Sequence, residues 1–273
     1  MQGHTDSILR DLRGLTWSRA MGSINSDGAF LKATNEDKSL YYKMSAYNAA
    51  QGVFGHEAVN ELLAYRVASE LGVPVPETEL AKAMVRVDNM EFETYLAVSK
   101  SFKPADGTRM SFENFYKSVR TGSETALSVA FRYGWETQIQ QMFMFDFLIF
   151  NRDRHGANLE VLENGGEKRL SPFFDNGLSF AVSCHTDAEL SAFDVTADKL
   201  VNNFIGSRSL YENIGGIHRP DLIGRPGKGF RDRLLEGLAD VLSAKHMEVV
   251  WELLCKRWAY VSRGALLSEG DVT

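Results

Sequence analysis

Two runs of residues decide the fold: I-F-N-R-D-R-H-G-A-N-L-E-V-L (149–162) and, beyond a turn at Asn164-Gly165-Gly166, L-S-P-F-F-D-N-G-L-S-F (170–180). An apolar helix pattern ends at Phe150, and six of the next eight residues, 151–158, are Asn, Asp, Arg or His. A short apolar run, 159–162, and the run ending at Asp175-Asn176-Gly177 then read as a hairpin. A polar loop leaving a buried helix, with an aspartate beyond the hairpin, is an arrangement that phosphoryl transfer uses.

Composition sets the frame. At 273 residues, 44% hydrophobic and 24% charged, the chain is an ordinary soluble globular sequence. That length suffices to bury roughly three quarters of the unfolded surface. It fits one large domain or two lobes, since no Pro/Ser-rich linker divides it. A net charge of −6 argues against nucleic acid as the direct partner, because such affinity rests on neutralising phosphates. Two cysteines, Cys184 and Cys255, give neither a disulfide framework nor metal-ligand spacing, and His185 beside Cys184 lacks spaced partners. No run approaches the ~18 apolar residues of a membrane span, and the N-terminus lacks a signal-peptide pattern. The expected location is cytoplasmic, with no membrane partner.

Towards the N-terminus the pattern predicts a short helix over 5–15. Strands follow around Trp17, at 29–31 and at 40–44, separated by G-S-I-N-S-D-G (22–28) and N-E-D-K (35–38). The first breaker reads as a phosphate-covering loop, with Gly22, Ser23 and Gly28 letting backbone N–H groups approach an anion, or as an ordinary hairpin turn. A helix is predicted over 55–71, ended by Gly72-Val-Pro74. Glu61 shares its face with Ala64, Tyr65 and Ala68, whereas Glu70 is expected in solvent. Lys43 on the preceding strand is the candidate cation for Glu61; the alternative is two surface charges. Strands 78–87 and 91–99 come next, turning at Asn89, and Ser99 opens a polar crossing to Pro104 that is a candidate adenine edge.

Beyond this point the pattern is helical, at 111–120, 136–150 and 245–266. The second becomes apolar nearly all round, which marks a buried helix. Asp146 within it reads either as an acceptor for the backbone of the following loop or as a solvent-facing residue. Arg208, Arg219, Arg225, Lys228, Arg231 and Arg233 form a basic excess, either a solvated face or a surface for an acidic partner.

The loop N-R-D-R-H-G-A-N (151–158) resembles the N-x-D-x-H-x-x-N loop of HipA-like kinases, and its D-R-H-x-x-N core is shared with phosphoinositide 3- and 4-kinases. The five-residue separation of Asp153 and Asn158 is that between base and metal-binding Asn in protein kinases. The helix G-H-E-A-V-N-E-L-L-A-Y-R-V-A-S-E-L-G-V-P (55–74) resembles a second HipA-like segment. The resemblance runs from about Gly22 to Ser209. It implies an α+β, bilobal protein-kinase-like fold. The N-lobe (1–99) would hold an antiparallel sheet and one helix, and the C-lobe (100–273) would be mostly helical. It also implies a MgATP-dependent kinase that phosphorylates Ser or Thr of a protein, itself included.

Carried over by position, Lys43 would hold the α- and β-phosphates and Glu61 would orient it. Asp153 would be the general base, His155 would support the loop, and Asn158 with Asp175 would hold Mg²⁺. Ser23 and Ser26 are candidate autophosphorylation sites. The Gln-x-Lys pattern expected after the small residues of the phosphate loop is missing, and so is A-P-E. A kinase of a lipid or small molecule, and a non-catalytic nucleotide-binding module, remain as alternatives.

Overall fold

The computed structural model describes residues 5–19, 29–104, 106–217 and 219–262. Seven strands among them form one sheet: β1 (Thr5–Asp11), β2 (Ser18–Arg19), β3 (Ala29–Thr34), β4 (Leu40–Asn48), β5 (Gly52–Val53), β6 (Thr78–Val87) and β7 (Met90–Lys100). The order is β1-β6-β7-β4-β3-β2, with β5 added to β4, and every pairing is antiparallel except β1 with β6. The helix expected over 5–15 is therefore a strand. So short a segment has little helical stability of its own, and pairing along the β6 edge decides its state. The β6–β7 hairpin turns on Asp88 and Asn89, both at positive φ (48° and 66°), as a two-residue turn between right-twisted strands requires.

Helix α1 (Glu57–Leu71) crosses one face of the sheet and ends at left-handed Gly72, whose N–H reaches the Ala68 carbonyl. Alternation along the strands sends Leu80 and Ala97 towards α1, and Ala81, Ala83 and Leu96 into a second apolar layer with Tyr42 and Met44. Glu70 is not in solvent. Both its oxygens accept from Arg233 (2.8 and 2.9 Å), and one also accepts the Gly227 N–H. Arg233 thereby leaves the basic excess and ties the 227–233 segment to α1.

After β7 the chain forms β8 (Thr108–Ser111), α2 (Phe112–Val119), α3 (Ala126–Arg132) and α4 (Glu136–Ile149). Next come β9 (Asp153–Arg154), the hairpin β10 (Glu160–Asn164) and β11 (Glu167–Leu170), α5 (Asp187–Ser191) and β12 (Asn202–Asn203). Helices α6 (Leu210–Gly215), α7 (Phe230–Leu235) and α8 (Ala244–Val261) complete the described chain. Strand β10 also pairs with β8, and β12 runs parallel to β9. One apolar cluster joins α1 to α4 and α8, so the helix on the sheet and the helical half share a core.

Arg257 of α8 is enclosed in that core. Its guanidinium donates to the carbonyls of Val195, Phe147 and Ala197 and faces the rings of Phe147, Phe150 and Tyr211. Burial pulls its pKa down to about 10, which leaves it charged at neutral pH. Three carbonyls thus fix the 195–197 turn against α4.

At the other end of α8, His246 is buried with Nε2 unpaired, and its ring meets that of His56, the residue before α1, at 4.4 Å. His185 stacks on His56 at 6.3 Å. Burial, reinforced by His56 and His185 and opposed by Asp187, pushes the His246 pKa down to about 4. The unfolded chain, with an ordinary pKa near ~6.5, then binds this proton more readily than the folded one. The contribution of His246 is complete above pH ~6.5 and is lost progressively as pH falls towards its folded pKa, by at most about 1.4 kcal/mol per pH unit. Urea midpoints at pH 7.5 and 5 should therefore differ, and His246→Phe should flatten that dependence. An unchanged slope in the variant would assign the effect elsewhere.

Candidate active site

Lys43 lies mid-strand on β4 and Glu61 on the face of α1 turned towards it, which puts ammonium and carboxylate 2.5 Å apart. The same ammonium is 3.1 Å from Asp175. Lys32, opposite Lys43 in the β3–β4 register, reaches the other Asp175 oxygen at 2.7 Å. Sequence reasoning missed Lys32, whose only signal was its cross-strand position. Burial opposes the Lys43 charge, but Asp175 and Glu61 outweigh it and raise the pKa. Burial likewise pushes Asp175 up, and the two lysines pull it further down, well below the usual carboxylate range. These charges hold one another.

Asp175 adopts φ 60°, a left-handed conformation that an L side chain takes only under constraint. The constraint is visible in its neighbours. Asn176 is buried, accepts from Arg154 at 2.7 Å and donates to the Phe173 carbonyl at 3.0 Å. Gly177 passes against the start of α1, where an added Cβ would come 3.1 Å from the Glu57 carbonyl oxygen. Asn60 of α1 donates to the carbonyls of Gly177 and Ser179, both at 3.0 Å.

The loop after α4 is built on Asp146. It does not face solvent, and its acceptors serve side chains of the loop where backbone N–H groups were expected. Arg154 Nε and Nη2 approach its two oxygens at 3.0 and 2.7 Å, and Asn151 donates at 3.0 Å. Arg154 also donates to the carbonyls of Asn158 and Phe174 (3.2 and 2.7 Å). Burial works against its charge, and Asp146 more than compensates. Asn151 Oδ1 takes the Asp153 N–H at 3.0 Å, and the Asn158 amide donates to the Asp153 carbonyl at 2.9 Å. The Asp153 carboxylate, a quarter exposed, accepts from Asn202 of β12 at 2.8 Å. His155 Nδ1 accepts the Ala157 N–H at 3.1 Å, which turns Nε2 towards Asp153 at 3.7 Å.

Lys32, Lys43, Glu61, Asp153, His155, Asn158 and Asp175 line one cavity of about 700 Å³ between sheet and loop. Asp175 and Asn158 present a carboxylate and an amide oxygen to it, a hard donor set suited to Mg²⁺ completed by phosphates and water. Ser99 does not line it; on β7 it pairs with Tyr41 and Thr78. Phe102 in the following crossing instead packs at a tilt against Phe174, ring centroids 5.3 Å apart, and Phe174 does line the cavity. Gly22, Ser23, Ser26 and Gly28 lie outside the described residues; Phe30 and Leu31, just after them, form part of the wall.

The family model for the HipA-like C-terminal domain matches residues 24–204. The crystal structure of the Helicobacter pylori proinflammatory kinase CtkA superposes with a TM-score of 0.60 at 16% identity, over 96% of this chain and 99% of that one. HipA from the Shewanella oneidensis MR-1 toxin–antitoxin complex gives a TM-score of 0.44 at 16% identity, over 90% of this chain and 65% of that one. No curated protein matches.

The Asp146–Arg154 pair is 1% and 2% exposed. Removing one partner leaves a buried charge uncompensated. Asp146→Ala should therefore cost about 3–5 kcal/mol in urea unfolding and disorder the loop before any chemistry is tested. A loss under about 1 kcal/mol, the range of an exposed pair, would show that the loop does not depend on it.

Proposed function

The chain belongs to the HipA-like C-terminal domain family, and we propose that it is an ATP-dependent serine/threonine protein kinase, itself among its substrates. The observation that carries this reading is one cavity holding the Lys43–Glu61 pair, Asp153, Asn158 and Asp175. Lys43, kept charged and aimed by Glu61, would face the α- and β-phosphates. Asp153 would accept the proton of the attacking hydroxyl while its oxygen bonds to the γ-phosphorus and the bond to the ADP oxygen breaks. Asn158 and Asp175 would hold Mg²⁺, which supplies positive charge beside the phosphates when bound. His155 would brace the loop through the Ala157 N–H.

A protein acceptor fits the open side of the site, where Asp153 reaches the surface and Leu200, two residues before Asn202, is 70% exposed. The negative net charge speaks against direct nucleic-acid binding. Among the described residues no helix is long and apolar enough to cross a membrane. Both cysteines are free, which suits a cytoplasmic, reducing setting.

Incubation with γ-labelled ATP, alone and with cell lysate, tests the reading. Label should appear on protein. Label on a small molecule would move the acceptor class, and none at all would favour a binding module. Asp153→Asn should lower the rate by ~10²–10⁴-fold with Mg²⁺-nucleotide binding nearly intact. Asp175→Asn should weaken Mg²⁺-dependent binding together with the rate. If both variants transferred phosphate as fast as the parent, the chemistry would lie at another site.

A further inference from the structure

A base that meets a hydroxyl must be held, because an aspartate carboxylate turns readily about its last bond. The catalytic loop does not supply that hold. The Asn151 amide points to Asp146, the Asn158 amide reaches only the Asp153 carbonyl, and His155 Nε2 stands at 3.7 Å, beyond a hydrogen bond. Among the described residues, the one hydrogen bond on the Asp153 carboxylate comes from Asn202 Nδ2, 2.8 Å from Oδ1 and 49 residues away. We infer that Asn202 is the positioning residue for Asp153: it fixes one carboxylate oxygen so that the other faces the acceptor hydroxyl. This rests on the kinase reading above.

The mounting of Asn202 supports that role. Parallel pairing sets it directly opposite Asp153, through its N–H on the Arg152 carbonyl (2.9 Å) and the Phe204 N–H on that of Arg154 (3.1 Å). The next residue, Asn203, caps the turn with Oδ1 on the N–H groups of Ile205 and Gly206 (3.0 and 2.8 Å). Phe204 packs so close to Gly156 that an added Cβ there would lie 3.1 Å from its ring. Arg257 fixes the approach at Val195 and Ala197.

The donor type matters as much as its position. A lysine or arginine at 202 would also orient the carboxylate, but its charge would compete for the electrons that Asp153 must offer to a proton. A neutral amide orients without neutralising. Asn202 also lines the cavity, so its side chain bounds the space where the acceptor enters.

The discriminating variant is the isosteric one. Asn202→Asp keeps the shape, removes the donor and sets carboxylate against carboxylate. Its kcat should fall about 100-fold, the lower edge of the range for losing a positioned base, and that of Asn202→Ala about 10-fold, less than losing the base itself, with the KM for MgATP changed less than twofold. Asn202→Ser, which keeps a short donor, should recover part of the Ala loss. A merely structural role predicts the reverse order, Asp milder than Ala, with thermal midpoint and nucleotide affinity falling together; that result would overturn the inference. A second readout needs no turnover: the side-chain amide resonances of ¹⁵N-labelled Asn202 should move in Asp153→Ala. If they stay, the positioning contact is absent even where the parent is an active kinase. If they move and the parent transfers no phosphate, the contact stands and the kinase reading falls.

Discussion

The Arg154 guanidinium is the joint on which the site depends. It is enclosed, and it bonds to Asp146 on α4, to the Asn158 carbonyl at the end of the loop after α4, to the Phe174 carbonyl, and to Asn176 beside Asp175. Helix, loop and hairpin thus converge on one planar cation whose donors are met by fixed acceptors. Burying a charge in this way is costly unless every donor is answered. Here the answer comes from three segments of chain, so none of them can move without exposing an unmet group. The left-handed Asp175 is tolerable for that reason: the residue after it is locked from two sides.

A second network orders the opposite wall. Lys32 and Lys43 sit side by side on β3 and β4, and Asp175 and Glu61 face them. The four charges balance, which lets them lie close together in a partly enclosed place. Glu61 holds Lys43 from α1, and α1 is itself pinned to the D-N-G segment through Asn60. Displacement of that helix would therefore disturb Lys43 and Asp175 together.

Local pattern revealed as much of this as local pattern can. The period of α4, the Gly72 stop after α1 and the alternation of β6 and β7 are properties of neighbours in sequence, and each is found within a residue or two of its expected bounds; α8 starts one residue before its expected start, and its expected end at 266 lies outside the described residues. The spacing of Asp153, Asn158 and Asp175 is similarly local and brings the three to one cavity. What was illegible depends on register between distant segments. The 5–11 segment reads as helix until the β6 edge is there to receive it. Glu70 reads as a surface charge until Arg233 arrives from 163 residues away. Lys32 and Asn202 carry no motif; only pairing with β4 and β9 gives them a place.

The site also shows how one residue type is given three characters by its partners. Asp146 is met by a guanidinium and an amide, with no face left open, and serves as an anchor. Asp175 is met by two ammonium groups, Lys32 and Lys43, so it stays ionised. Asp153 is met by a single neutral amide, and its charge remains available to a hydroxyl. A cation in place of Asn202 would make Asp153 a second Asp146, and an amide in place of Arg154 would leave Asp146 a buried, unpaid charge. The difference in character among Asp146, Asp175 and Asp153 therefore resides in their donors as much as in the three carboxylates.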